Sequence, residues 1–152
     1  MFAGSFDCRM DRQGRVPIPP PFRRKLEEAG DSLVLTFFDD AIAGYPRGTW
    51  LSLEKQVLSL PAFSKKARAL SRVLASRAHE SRLDNQGRIL VPLGLRKLAG
   101  LDRDVVIIGA MDRFEIWPRS RWSAFSDEAE AILDAASAEL SFGSPNPSTV
   151  QA

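Results

Sequence analysis

Two arginines, one in each copy of a repeated segment, are the side chains best suited to bind a ligand. The segment Asp11–Pro19 (DRQGRVPIP) returns 73 residues later as Asp84–Pro92 (DNQGRILVP), and each copy has an arginine four residues after its aspartate, Arg15 and Arg88. A guanidinium at a turn can bind a phosphate or the edge of a guanine, the commonest specific contact in the DNA major groove. The alternative is that each arginine pairs with the preceding aspartate and only braces the turn.

Glycine is expected to shape both turns, which we call the first turn (residues 11–15) and the second turn (residues 84–88). A glycine directly before each arginine permits the positive φ of a tight hairpin or bulge. The motif residues predicted to form the turns are Asp11, Gly14, Asp84 and Gly87.

Basic side chains are concentrated around the first turn. Residues 1–26 carry six basic and two acidic side chains. Arg23 and Arg24 lie beyond the turn and suit phosphate contacts, which position a protein on DNA without reading its sequence. We expect the first copy to meet DNA first, because its basic surplus is the larger one. The residues predicted to bind DNA are Arg15, Arg9, Arg12, Arg23, Arg24 and Arg88.

The sequence offers few parts for catalysis. It has one histidine, His79, one cysteine, Cys8, and no nucleophile motif or phosphate-binding glycine loop. Asp11 and Asp84 could form a carboxylate pair that shares a proton. An arginine four residues after each of them favours a structural role instead. We therefore expect no enzyme, no cofactor and no metal site.

Short strands are predicted to hold the turns. Apolar runs between Gly, Pro and Asp residues predict small strands in a mainly β fold. The predicted strands are Met10, 16–18, 33–38 and 42–45 in the first copy, and 81–83, 89–91, 105–108 and 114–117 in the second.

Helices are expected after each copy of the turn. Proline suits the first turn of a helix, so Pro19–Pro21 predicts a helix that ends at Gly30, and the second copy repeats this plan with a stop at Gly100. Ser64 is a plausible helix cap. A basic face on that helix is either a solvated surface or a nucleic-acid contact. The predicted helices are 22–29, 49–60, 64–78, 93–99 and 127–140. The last of them continues from residues 119–125, which mirror the start of helix 49–60.

The repeat predicts two fused units that pair around a pseudo-twofold axis, because two copies are too few for an open solenoid. The expected organisation is a first half at 1–48, a helical linker at 49–78, a second half at 79–125, a C-terminal helix at 126–142 and a disordered tail at 143–152.

Charge is divided unevenly along the 152 residues. Residues 1–125 carry 21 basic and 14 acidic side chains, whereas residues 126–152 carry five acidic and no basic ones. A basic body suits a polyanion such as nucleic acid. The acidic end is either a solvated helix or a competitor with DNA for the basic surface. The single cysteine, the missing secretory signal and the missing membrane span predict a soluble, cytoplasmic protein.

The doubled Asp-x-x-Gly-Arg-x-x-x-Pro pattern resembles the MraZ family of bacterial transcriptional regulators. Phe22-Arg23 and its counterpart Leu95-Arg96 follow the pattern, and the second half adds Arg113–Trp117 (RFEIW). The resemblance covers residues 1 to about 125 and implies an AbrB-like fold, in which swapped hairpins interlock into a small β-barrel. The duplicated halves of one chain would then replace the two subunits of an AbrB-type dimer.

The resemblance also implies function. MraZ proteins form ring-like homo-oligomers, for which an octamer is one expected size. They bind short direct repeats in double-stranded DNA upstream of the division and cell-wall gene cluster and repress it, including their own gene. The expected partners are therefore promoter DNA and further copies of the chain, with no membrane, and the expected location is the nucleoid.

Two departures from the family pattern are visible. Family members often have lysine before the turn glycine, whereas this chain has Gln13 and Gln86, so we expect one phosphate-type contact per turn to be missing. The triple proline and the acidic extension could alter subunit packing. An alternative function is an interaction module of the same fold, such as an antitoxin whose main partner is another protein.

Overall fold

The computed structural model of the protein describes residues 1–139. These residues belong to two compact units, Met1–Arg119 and a second unit that begins at Ser120. The predicted tail at 143–152, and the last residues of the predicted C-terminal helix, lie outside the described residues.

Eight strands are described in the first unit. They are β1 (Ser5–Arg9), β2 (Arg15–Pro17), β3 (Ser32–Phe38), β4 (Ala41–Pro46), β5 (His79–Arg82), β6 (Arg88–Leu90), β7 (Asp104–Gly109) and β8 (Phe114–Pro118). The helices described are α1 (Pro20–Glu28), α2 (Arg47–Leu58), α3 (Lys65–Ser76), α4 (Leu93–Ala99) and α5 (Arg119–Ala136).

Strand order reveals the duplication. Six strands form an antiparallel sheet in the order β1-β7-β8-β4-β3-β5, and β2 pairs with β6 in a separate two-stranded ribbon. The counterparts in the two copies are β1 and β5, β2 and β6, β3 and β7, and β4 and β8. Exchanging each strand of the sheet for its counterpart gives the same order, read from the other edge. The structure thus confirms the predicted mainly β fold, duplicated in one chain, with helices after each half.

The hairpins of the two copies interlock. The β3–β4 hairpin pairs with β5 on one side and with β8 on the other, and β7–β8 pairs with β1 in the equivalent way. At the junction of the copies, Ile42 faces Ile116 and Gly44 faces Phe114. Neither copy could complete its sheet without the other.

Apolar side chains from both copies share one core. The equivalent residues Phe22 and Leu95 are each 1% exposed. The Phe22 ring meets the edge of Phe2 at 5.2 Å between centroids and stacks on Phe114 at 6.2 Å. Helix α1 packs against β3, and α4 packs against β3 and β4, so both helices lie on the six-stranded sheet.

Local signals place the helix ends. Proline begins α1, as predicted, and Gly100 follows α4 in the left-handed conformation with φ +65°. The Ser64 side chain accepts a hydrogen bond from the Ala67 amide at 3.3 Å, which confirms the predicted cap of α3. The buried Thr36 hydroxyl donates to the Leu74 carbonyl at 3.2 Å and ties α3 to β3.

One strand differs from the prediction. The strand expected at Met10 lies earlier, as β1, where only every second side chain is partly buried. Helix α5 runs from Arg119 to Ala136 without a break, in agreement with the prediction that 127–140 continues the helical segment 119–125. No described helix combines the length and the apolar character needed to cross a membrane.

Candidate nucleic-acid interface

Both turns have the same backbone geometry. The Gln13 and Arg15 amides donate to the Asp11 Oδ1 at 2.9 and 2.8 Å, and Gln86 and Arg88 donate to the Asp84 Oδ1 at 2.8 and 2.9 Å. The aspartates thereby satisfy amides that have no partner in the ladder.

The turn glycines adopt the conformation that the sequence predicted. Gly14 has φ +91° and its amide donates to the Asp11 carbonyl at 3.1 Å. Gly87 has φ +71° and donates to the Asp84 carbonyl at 3.0 Å. Both glycines are buried.

Hydrogen bonds to the backbone govern the protonation of the turn carboxylates. The Arg15 amide is the largest cause that lowers the pKa of Asp11 below its ordinary value of 3.8, and the Arg88 amide does the same for the pKa of Asp84. Partial desolvation opposes both shifts. Both groups are therefore ionised at neutral pH and act as acceptors for the turns, which does not suit a pair that shares a proton.

The β2–β6 ribbon brings the two turn arginines to one face. Arg15 is paired with Leu90, and Arg88 is paired with Pro17, while Val16 and Ile89 between them are buried. Side chains alternate across a strand, so the two arginines lie on the outward face as diagonal neighbours.

The two arginines have different partners. Arg88 Nε lies 3.0 Å from the Asp84 Oδ2, and its Nη1 lies 3.9 Å from the Asp11 Oδ2. The predicted brace is thus present in the second turn. In the first turn the Arg15 guanidinium makes no hydrogen bond and no ion pair within 4.0 Å among residues 1–139, while the Arg88 guanidinium of the other copy lies 3.9 Å from Asp11. The charges of both arginines help to lower the pKa of Asp11.

The other basic residues around the first turn are mostly exposed. Arg9, whose side chain is 81% exposed, lies 3.5 Å from the Asp104 carboxylate. Arg12 lies at the tip of the first turn and Arg24 on the outer side of α1, both exposed and without an ion pair in the described part of the chain. These positions leave three guanidinium groups, those of Arg12, Arg15 and Arg24, available to an anion.

Arg23 is placed differently from its neighbours. Its side chain is half-buried, and its Nη2 donates to the Ile18 carbonyl at 3.1 Å. Its Nε is buried and makes no hydrogen bond to any described residue. The structure therefore packs the Arg23 guanidinium inside the base of the ribbon, where it is not exposed as Arg24 is.

Arg96 occupies the equivalent place in the second copy and was not among the predicted site residues. Its Nε donates to the Val91 carbonyl at 2.9 Å. The signal was present in the sequence, because Leu95-Arg96 repeats Phe22-Arg23 at the spacing of the turns. Among residues 1–139, no group of three or more His, Cys, Asp or Glu side chains is arranged to hold a metal ion.

Comparison with known proteins gives matches over both copies. A family model described as "MraZ protein, putative antitoxin-like" matches residues 1–73 and again residues 74–141. The transcriptional regulator MraZ of Natranaerobius thermophilus is 41% identical over 141 residues, 92% of this chain and 96% of that protein. Those of Ligilactobacillus salivarius and Moorella thermoacetica are each 42% identical, over 88% of this chain and over 92% and 95% of their own lengths. With a doubled match to the family and relatives that align over nearly their whole length, this chain belongs to the MraZ family.

Proposed function

We propose that the protein is a sequence-specific DNA-binding repressor that acts at short direct repeats in its own promoter, upstream of the division and cell-wall gene cluster. The observation that carries the proposal is the Arg15 guanidinium, which lies on the outward face of the ribbon with no carboxylate oxygen within 4.0 Å among residues 1–139. Nothing in the packing of the core requires a cation at that position. The names of the relatives, transcriptional regulators, support the same conclusion.

The arrangement of charges suggests which arginines contact bases and which contact phosphates. Arg15 is a planar fork at the tip of a two-stranded ribbon, and such ribbons fit the major groove of B-DNA. Arg12 and Arg24 are exposed nearby and suit phosphate oxygens, which fix register and orientation. Arg88 is held by two carboxylates, so its role is to keep the second turn in shape or to contact DNA with a reduced charge.

Association into a ring would make such short contacts effective. One turn offers few base contacts, whereas several turns on one particle bind neighbouring repeats at high effective concentration. Two surfaces of the chain suit head-to-tail association, which closes into rings. The first is the surface of α2 and α3, which forms an apolar groove of about 130 Å³ and in which α3 also carries four basic residues. The second is α5, where Ile132 and Leu133 are exposed among acidic residues.

A binding assay tests the proposal. We expect the purified protein to shift a labelled fragment of its own upstream DNA, and log affinity to fall steeply with log salt. Arg15→Ala should cost about 1–3 kcal/mol, the range for one good contact to a base.

The matched control is Arg72→Ala, which removes an exposed arginine on α3 far from the turns in sequence. It should leave the affinity for a DNA with a single repeat within about twofold, because Arg72 is not part of the β2–β6 ribbon and a single repeat gains nothing from ring assembly. Equal binding to scrambled DNA would reduce the protein to a nonspecific binder. A loss with Arg72→Ala as large as with Arg15→Ala would move the contact to the α3 surface.

The antitoxin alternative has one supporting observation, the antitoxin-like description of the matched family. In that case the α2–α3 surface would bind a different protein. Absence of any DNA shift by a folded sample at low salt would favour this function over repression.

A further inference from the structure

Each turn glycine is covered by an arginine from the other copy. A Cβ added at Gly87 would collide with the Cζ and Nε of Arg23. A Cβ added at Gly14 would lie 2.6 Å from the Nε and 2.7 Å from the Cζ of Arg96, well inside contact distance. The two guanidinium groups therefore lie directly against the backbone of the opposite turns, in a space that any larger residue would fill.

Backbone hydrogen bonds join each turn to a strand of the other copy beside the same contact. The Ile18 amide donates to the Gly87 carbonyl at 3.0 Å, and the Ile18 carbonyl in turn accepts from Arg23. In the second copy, the Val91 amide donates to the Gly14 carbonyl at 2.8 Å. Arg96, which donates to the Val91 carbonyl, packs on that same glycine. Each turn is thus held by a strand and an arginine of the other copy.

The chemistry of these two positions requires arginine. Neither Arg23 nor Arg96 has a carboxylate within 4.0 Å among residues 1–139, so ion pairing does not explain their half-buried placement. A guanidinium is planar and weakly hydrated, and it can lie flat against a peptide while it donates at its edge. A lysine keeps the charge and loses both the flat face and the fixed direction of the donor.

We infer that Arg23 and Arg96 are positioning residues, each of which sets the shape of the DNA-binding turn in the other copy. Arg96 positions the first turn and its Arg15, and Arg23 positions the second turn and its Arg88. This inference rests on the proposed function for the consequence on DNA. Its structural part, the crossed relation between arginine and turn, is independent of DNA.

Hydrogen–deuterium exchange tests the crossed relation on the free, full-length protein. In Arg23→Lys we expect faster exchange in peptides covering residues 84–88 and no change in residues 11–15. In Arg96→Lys the pattern should reverse. A change confined to the turn of the same copy would overturn the inference. Loss of far-ultraviolet circular dichroism in both variants would overturn it too, because the arginines would then support the whole fold and not one turn.

DNA affinity separates positioning from direct phosphate contact. If Arg23 or Arg96 bound a phosphate, its replacement by lysine would leave the affinity like that of the wild type, and its replacement by glutamine would reduce the salt slope by about 1. The inference predicts instead that Arg96→Lys loses about tenfold in affinity at unchanged salt slope, the size of one base contact.

A double-mutant cycle identifies the turn on which each arginine acts. The affinity loss of Arg96→Lys should largely disappear in an Arg15→Ala background, because the first turn then has no arginine left to position. Arg23→Lys should add independently to Arg15→Ala. Additive losses for Arg96→Lys would overturn the inference for the first turn. If the wild type binds no operator DNA but the exchange pattern is crossed, the proposed function fails while the crossed relation stands.

Discussion

At the scale of single residues, Asp11 and Asp84 make the turns sensitive to acid. Their pKa values are lowered below 3.8 in the folded protein, mainly by backbone amides. A carboxyl group whose pKa is lowered by folding stabilises the fold above its unfolded pKa, and this contribution is lost as the pH falls through the folded pKa. Asparagine keeps an acceptor oxygen but does not titrate.

We therefore predict that Asp11→Asn/Asp84→Asn is less stable than the wild type at neutral pH, and that this difference narrows as the pH falls below about 4. Urea midpoints measured between pH 7 and pH 2 would check it. A difference that stays constant over this range would contradict the stated role of the carboxylates.

The sequence predicts the geometry of each turn, but it does not predict the contacts between the two copies. The repeated aspartate, glycine and arginine predict local geometry, because the hydrogen bonds of Asp11 and Asp84 span at most four residues. The contact between Asp11 and Arg88, and the packing of Arg96 on Gly14, join residues more than seventy positions apart. Such contacts depend on how the copies pair, which local spacing does not encode.

At the scale of elements, the β4–β8 pairing joins the two copies at a glycine. Gly44 lies opposite Phe114, and a Cβ at Gly44 would collide with the Phe114 ring in the core. Gly44→Ala should destabilise the fold by about 1–3 kcal/mol, the usual cost of overpacking.

Gly48→Ala is a matched control, because Gly48 lies in α2 and a Cβ there meets no atom of residues 1–139 within 4 Å. It should be neutral or stabilise by up to about 1 kcal/mol, since alanine favours the helix. Thermal unfolding followed by circular dichroism distinguishes the two variants. Equal melting temperatures would mean that the β4–β8 junction tolerates an added methyl group.

Elements with a periodic apolar pattern were predictable, and those that depend on a partner were not. The capped helix α3 and the buried strand β7 follow from local patterns. Strand β1 has the sequence SFDCR, in which no side chain is fully buried, and it is a strand because it pairs with β7 along its whole length. Its strand conformation therefore depends on the tertiary context and not on the intrinsic β-propensity of its residues.

At the scale of the whole molecule, the duplication explains why one chain suffices. The strand pairs between the copies follow the pseudo-twofold relation. Strand β2 pairs with its counterpart β6, and β4 with its counterpart β8. The pair β1–β7 is matched by the pair of their counterparts, β5–β3. The doubled sequence pattern predicted this pseudo-twofold pairing. The strand order itself was not predictable, because several orders of short strands are compatible with the same local patterns.

The proposed ring needs complementary surfaces on neighbouring copies. Helix α3 carries four basic and no acidic residues, and from residue 127 on α5 is acidic, so we expect the two surfaces to attract each other in the proposed ring. Leu133, 57% exposed on α5, would be covered in such a contact. Leu133→Asp should therefore reduce the particle mass measured by light scattering, whereas Ala131→Asp adds the same charge to another side of α5 and should not.

The dissociated variant should also bind a DNA with several repeats no more tightly than a DNA with one, because the gain from linked sites requires several turns on one particle. Its affinity for a single repeat should equal that of the wild type, since the first turn is unaltered. If Leu133→Asp still forms a particle of wild-type mass, α5 is not part of the interface, and other surfaces must form the ring.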